Sequence, residues 1–217
     1  MKRGAIFDMD GTLFDTERYY RKAWFEAAPE FGGEPNVAFT EAVSGTSSGE
    51  EFVRVIKSFY PDIDAKAYLN RVIELVHDWS EENLIVMAGV EKILKFFNAA
   101  GVPCAVASSS PTELIERNLR RTNLRGYFGA IVGGDQVSNG KPAPDIFLLA
   151  AKKINLPASD CYVFEDSRNG ILAAKAATCT PVLIVDQYKP TDDIKKICAA
   201  VFESLTAAQR AISEGRL

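Results

Sequence analysis

Acidic side chains recur in this sequence directly after short apolar runs, where a buried strand could carry them to a common edge. The first case is Ala5-Ile6-Phe7-Asp8-Met9-Asp10-Gly11-Thr12, an apolar run closed by Asp8 and Asp10. In a fully extended strand these two would point to opposite faces. Gly11 lets the chain turn, so both can project into the crevice beyond the strand's carboxyl end. The second case is Val163-Phe164-Glu165-Asp166-Ser167-Arg168-Asn169-Gly170, which ends in a second carboxylate pair whose oxygens suit a hard cation such as Mg²⁺. One ammonium stands out, Lys141, held between Gly140 and Pro142 in a loop stiffened by Pro144. The run Val106-Ala107-Ser108-Ser109-Ser110-Pro111-Thr112-Glu113 passes from a strand to hydroxyls. It predicts a capping box with Ser110 at the N-cap, Pro111 at N1 and Glu113 at N3, and a helix start beside Ser108 offers N–H donors to a phosphate.

Taken singly, these are an acidic turn, a helix start and a surface lysine. Together they set Asp8, Asp10, Glu165 and Asp166 against Lys141. Two like charges ~4 Å apart repel by roughly 4 kcal/mol at an effective dielectric of 20, so a phosphate dianion could join such a cluster only beside a divalent cation. Mg²⁺ follows from charge balance.

Presenting those tips requires a parallel sheet. Apolar runs at Gly4 to Phe7, Pro103 to Ala107, Ala130 to Val132, Cys161 to Phe164 and Pro181 to Val185 read as strands, with a weaker one at Ala199 to Phe202. Helical periods alternate with them, as in Val90 to Ala100, where Gly101 supplies a left-handed C-cap. From about Thr16 to Val86 only helical periods occur (Tyr20, Trp24, Ala27, Ala28, Phe31; Phe52, Val53, Ile56, Phe59; Ala65, Tyr68, Leu69, Val72, Val76, Trp79). The expected organisation is an α/β core over 1–14 and 87–217 carrying an inserted helical unit over 15–86, with a terminal surface helix after Ser204.

The net charge of −4 without a basic block offers no surface to nucleic acid or an anionic membrane. No run reaches membrane-spanning length. The start Met1-Lys2-Arg3 leads straight into a strand rather than a leader peptide, and the four cysteines are unpaired in spacing, so a cytoplasmic protein with reduced, buried thiols is expected. The only histidine, His77, falls in a helical period, which excludes histidine-based chemistry.

These motifs, in this order and at these strand ends, resemble the haloacid dehalogenase-like superfamily of phosphohydrolases, and the resemblance covers nearly the whole chain. It implies a Rossmann-like parallel sheet with helices on both faces, and a small α-helical cap after Asp8-Met9-Asp10-Gly11-Thr12. It further implies that Asp8 forms an aspartyl-phosphate, that Asp10 is general acid and then base, that Ser108 donates to a phosphoryl oxygen, and that Lys141 neutralises charge. Asp8, Asp10, Asp166 and Glu165 would hold Mg²⁺. Gly11, Thr12, Ser109, Tyr20, Gly45, Thr46, Ser47 and Asn169 would meet the substrate. Asp10 favours a phosphatase or phosphomutase over a dehalogenase, which has no alkoxide to protonate. The β-phosphoglucomutase branch is the alternative, since Asp15 to Trp24 looks like its linker and first cap helix. That branch, however, has a His at the place of Tyr20 and a phosphate-binding Arg where this chain has Gly45-Thr46-Ser47-Ser48. The expectation is a Mg²⁺-dependent phosphatase acting on a small phosphorylated metabolite, a sugar phosphate being one candidate, as a monomer. A further departure is Ala177-Thr178-Cys179, where relatives end the helix with Gly, so a different helix end is expected.

Overall fold

The computed structural model describes residues 1–43, 49–186 and 190–217, and the chain divides into two units. One is Asp15–Ile85; the other joins Met1–Phe14 to Val86–Leu217. The division falls at Val86, one residue before the position read from the sequence. Val86 bridges Phe14, and the Met87 N–H donates to Leu13 O at 2.9 Å, which ties it to the second unit.

The Asp15–Ile85 unit is helical: α1 (Glu17–Ala27), α2 (Val37–Val43), α3 (Gly49–Phe59) and α4 (Ala65–Glu82). Their apolar faces enclose Trp24, Phe39, Ile56, Tyr68 and Val72. The buried Tyr68 hydroxyl is satisfied by Trp24 O at 2.6 Å, so the aromatic centre carries no orphan there. Asp64 caps α4 by accepting from the Lys66 and Ala67 N–H groups. Helix α2 was not foreseen, because seven residues are too few to show a period. Its entry is marked by Asn36, whose Oδ1 takes the Phe39 N–H at 3.1 Å.

The other unit is a parallel sheet of β1 (Gly4–Phe7), β2 (Cys104–Ser108), β3 (Phe128–Gly133), β4 (Cys161–Glu165), β5 (Thr180–Ile184) and β6 (Ala200–Phe202), in the order β3-β2-β1-β4-β5-β6. Its helices are α5 (Val90–Ala99), α6 (Thr112–Arg121), α7 (Asp145–Lys153), α8 (Arg168–Ala176), α9 (Asp192–Ile197) and α10 (Leu205–Ser213). Alternate residues of the buried strands face opposite layers. Ile6, Ala105, Ala107 and Val163 pack with Ile146 and Phe147 of α7 and Ala173 of α8. On the other face Phe7 stacks on Phe164 with ring centroids 4.7 Å apart and meets Phe97 of α5 edge-on. Helices on both faces explain why the strands read as continuous apolar runs. The chain moves outward from β1 to β3 and then returns to β1's other side at β4, so β1 lies at the switch point where open α/β sheets bind ligands.

Three local expectations are corrected. Helix α6 begins at Thr112 and Ser110 does not cap it; Asp135 Oδ1 accepts the Thr112 N–H at 2.8 Å and the Thr112 hydroxyl at 2.7 Å instead. Helix α8 ends as a glycine-capped helix would, with Thr178 itself in the left-handed region at φ 65°, the Thr178 N–H on Lys175 O and the Cys179 N–H on Ala174 O. Helix α10 is no surface appendage: Leu205, Ala208, Ala211 and Ile212 are buried. Cys104, Cys161 and Cys179 are buried free thiols and Cys198 is half-buried. No helix among the described residues is long and apolar enough to cross a membrane.

Candidate active site

The ends of β1, β2 and β4 lie side by side, and the loop before α7 adds Lys141 to them. Asp8 directly follows β1, its N–H continuing the ladder to Phe164 O at 2.9 Å. The chain then folds back, with the Leu13 and Phe14 N–H groups both on Met9 O. Gly11 makes this possible with φ 71°, and a Cβ there would sit 2.1 Å from Asp166 Oδ2. The same glycine thus permits the turn and lets the Asp166 carboxylate close on it.

Lys141 Nζ donates to Asp8 Oδ1 at 2.5 Å and to Glu165 Oε1 at 2.6 Å, and stands 5.1 Å from the Phe147 ring centre. The three charged side chains are 4, 8 and 1% exposed for Lys141, Asp8 and Glu165, so this is a desolvated triad with one more negative than positive charge. Burial pushes the Asp8 carboxyl well above the usual carboxylate range; Lys141 opposes this, while Glu165 and Asp10 add to it. Burial alone would lower the Lys141 ammonium, but Asp8 and Glu165 outweigh it and hold Lys141 above its ordinary value. An ionised Asp8 therefore calls for further positive charge.

Glu165 does not fit the expected role of metal ligand. One oxygen is on Lys141, and the other accepts the Ser167 N–H at 2.8 Å and the Ser167 hydroxyl at 2.9 Å. Gly170 allows this, because a Cβ there would fall 1.8 Å from the Glu165 carboxylate. Among the described residues no three His, Cys, Asp or Glu side chains form a metal cage. Mg²⁺ needs none: it keeps waters and takes one or two carboxylates plus substrate oxygens. Asp8, the Asp10 carbonyl and Asp166 around the Gly11 turn are a donor set of that chemistry.

Asp10 Oδ2 accepts from Ser110 Oγ at 3.0 Å and, more weakly, from Ser108 Oγ at 3.5 Å. Ser108 is buried and Ser109 exposed. The Thr112 N–H at the start of α6 is taken by Asp135, so it is not available to a phosphate in the way the sequence suggested. Thr12 is wholly buried with its hydroxyl unpartnered by protein, which places it beneath the turn rather than against a substrate. Asn169 is buried at the first turn of α8, beside Gly170. Tyr20 lies on α1 against the helical unit's own core, and Gly45, Thr46 and Ser47 fall outside the described residues. Sequence reading missed Asp135, Ser167 and the link from Ser110 to Asp10. A Gly within the first turn of α8 was the one signal that a neighbour comes close.

A parallel α/β sheet whose central strand ends in a buried carboxylate on an ammonium, with hard-oxygen donors around it, defines a class of hydrolytic enzyme working at the carboxyl edge of the sheet. The profile of the haloacid dehalogenase-like hydrolases matches residues 2–178, and the chain belongs to that family. It is 34% identical to the fructose-1-phosphate phosphatase YqaB of Escherichia coli over 174 residues, 80% of this chain and 92% of that protein. It is also 34% identical over 173 residues to a phosphorylated carbohydrates phosphatase of Thermotoga maritima, covering 80% of each. A solved Thermotoga maritima structure provisionally assigned as a beta-phosphoglucomutase superposes with a TM-score of 0.78 at 29% identity over 99% of both chains.

Proposed function

We propose that this chain hydrolyses the phosphate monoester of a small phosphorylated carbohydrate, with Asp8 as nucleophile and Mg²⁺ as cofactor. The observation that carries the reading is the Asp8 carboxylate fixed on Lys141 at 2.5 Å, at the end of the central strand. An Asp8 oxygen attacks phosphorus in line while Asp10 gives its proton to the departing alkoxide. The resulting aspartyl-phosphate is cleaved by water that Asp10, now a carboxylate, deprotonates. Lys141 holds Asp8 in place and balances charge on the transferring group, and Glu165 holds Lys141. Ser108 donates to a phosphoryl oxygen. Asp8, Asp166 and the Asp10 carbonyl would hold Mg²⁺, which supplies the positive charge that offsets the phosphoryl oxygens. The helical unit, with Tyr20 and residues 45–47, is proposed as the substrate-selecting cap.

Two phosphatase relatives acting, by name, on phosphorylated sugars support the carbohydrate class. The test is a panel of sugar phosphates incubated with Mg²⁺ or with EDTA. Release of inorganic phosphate that requires Mg²⁺ is expected. Conversion of β-glucose 1-phosphate to glucose 6-phosphate without release would instead establish a mutase and overturn hydrolysis.

A further inference from the structure

The stretch from Ser108 to Thr112 leans on the turn that follows β3. Asp135 on that turn accepts the Thr112 N–H at 2.8 Å and the Thr112 hydroxyl at 2.7 Å through a single oxygen, Oδ1. The Thr112 hydroxyl accepts in turn from Gln136 Nε2 at 2.6 Å. Two residues back, the Gly134 N–H donates to Ser110 O at 3.0 Å, and the Ser110 N–H donates to Ser108 Oγ at 3.1 Å. Two glycines let the turn come this near: a Cβ at Gly133 would lie 2.4 Å from Thr112 N, and one at Gly134 would lie 2.4 Å from Ser109 O. Neither glycine is in the left-handed region, so the demand is for closeness rather than for φ.

We propose that Asp135 is a positioning residue for Ser108, acting through the clamp that the β3 turn sets on the Ser108 to Thr112 stretch. This rests on the hydrolytic reading above, in which Ser108 donates to a phosphoryl oxygen. A serine hydroxyl has one proton to give and two lone pairs that receive. The Ser110 N–H occupies one lone pair of Ser108 Oγ, which restricts the hydroxyl and leaves its proton to be given. That N–H stays in place only while the Ser110 backbone does, and Gly134 and Asp135 hold it from the carbonyl side and from the start of α6. Small displacements of a donor from the transferring group cost much of its effect, so a clamp two residues away reaches the chemistry. Asp135 is itself exposed, so its removal opens no cavity in the core.

The experiment is a double-mutant cycle on kcat/KM for p-nitrophenyl phosphate with Mg²⁺, comparing wild type, Asp135→Ala, Ser108→Ala and the pair. Loss of one phosphoryl donor costs about 10²- to 10³-fold, which leaves turnover that can be measured. Asp135→Ala should lose roughly ten-fold when Ser108 is present and less than about two-fold when it is replaced. Asp135→Asn keeps an accepting oxygen and should retain most of the activity in the wild-type background. A merely structural cap would act alike whether Ser108 is there or not. Equal losses in the two backgrounds, no loss, or Asp135→Asn as poor as Asp135→Ala therefore overturns the proposal. Should Asp135→Ala melt early, Gly134→Ala, whose Cβ presses on Ser109 O, must show the same dependence on Ser108. A wild-type protein that releases no phosphate from the ester would sink the hydrolytic reading and this one together, whereas equal losses in an active enzyme sink this one alone.

Discussion

Replacing Lys141 by Met removes the ammonium while keeping an unbranched stem beside Phe147. Its Nζ lies 2.5 Å from Asp8 Oδ1 and 2.6 Å from Glu165 Oε1, so those two oxygens cannot be more than about 5 Å apart. Without Lys141 nothing opposes the upward push of burial on Asp8, which keeps its proton, so the stranded charge is Glu165; removing one partner of a buried ion pair costs about 3–5 kcal/mol. Lys141→Met should therefore lose about 4 kcal/mol at pH 7 in EDTA, a fall of on the order of 10 °C in Tm for a chain of this size. The assay is thermal unfolding followed by circular dichroism. Adding Glu165→Gln to Lys141→Met removes the stranded charge and should recover part of the loss. A single variant melting within about 2 °C of wild type, or a double variant less stable than the single, would refute the triad as the source of the effect.

Burial holds Asp8 above its ordinary range, so the folded state keeps a proton that the unfolded state releases. The stability this contributes is complete below about pH 4 and is lost as pH rises through the raised folded value. Asp8→Asn should flatten the decline in Tm between mildly acidic and neutral pH in EDTA; an unchanged slope would count against the assignment. Thr178 is a β-branched residue at φ 65°, on the exposed end of α8. Thr178→Gly should raise stability by roughly 1 kcal/mol in urea titrations, and a loss would mean that its side chain makes a contact worth more than the strain.

Much of the core was legible because parallel strands covered on both faces must be apolar throughout, and their tips must be followed by turns. That is how Asp8 and Lys141, 133 residues apart, could be assigned to one edge of the sheet. Adjacent acids are harder to read. Glu165 and Asp166 are neighbours in sequence, yet Glu165 turns to Lys141 and Ser167 while Asp166 closes on the Gly11 turn, and composition alone does not say which faces which. The Ser110 capping box failed for a related reason. A local hydroxyl and a carboxylate from beyond β3 compete for the same helix start, and the charged acceptor wins, leaving the hydroxyl for Asp10. Thr12 looked accessible because it follows a reactive pair, but the turn at Gly11 drives it inward.

The account stands on Asp8 as the atom donor to phosphorus. Mixing the enzyme with Mg²⁺ and a hydrolysed ester, quenching within one turnover and reducing with borohydride converts an aspartyl-phosphate to homoserine, which peptide mass spectrometry locates. Homoserine at position 8 is the expected result. Its appearance at another carboxylate, or at none while phosphate is being released, would contradict the account.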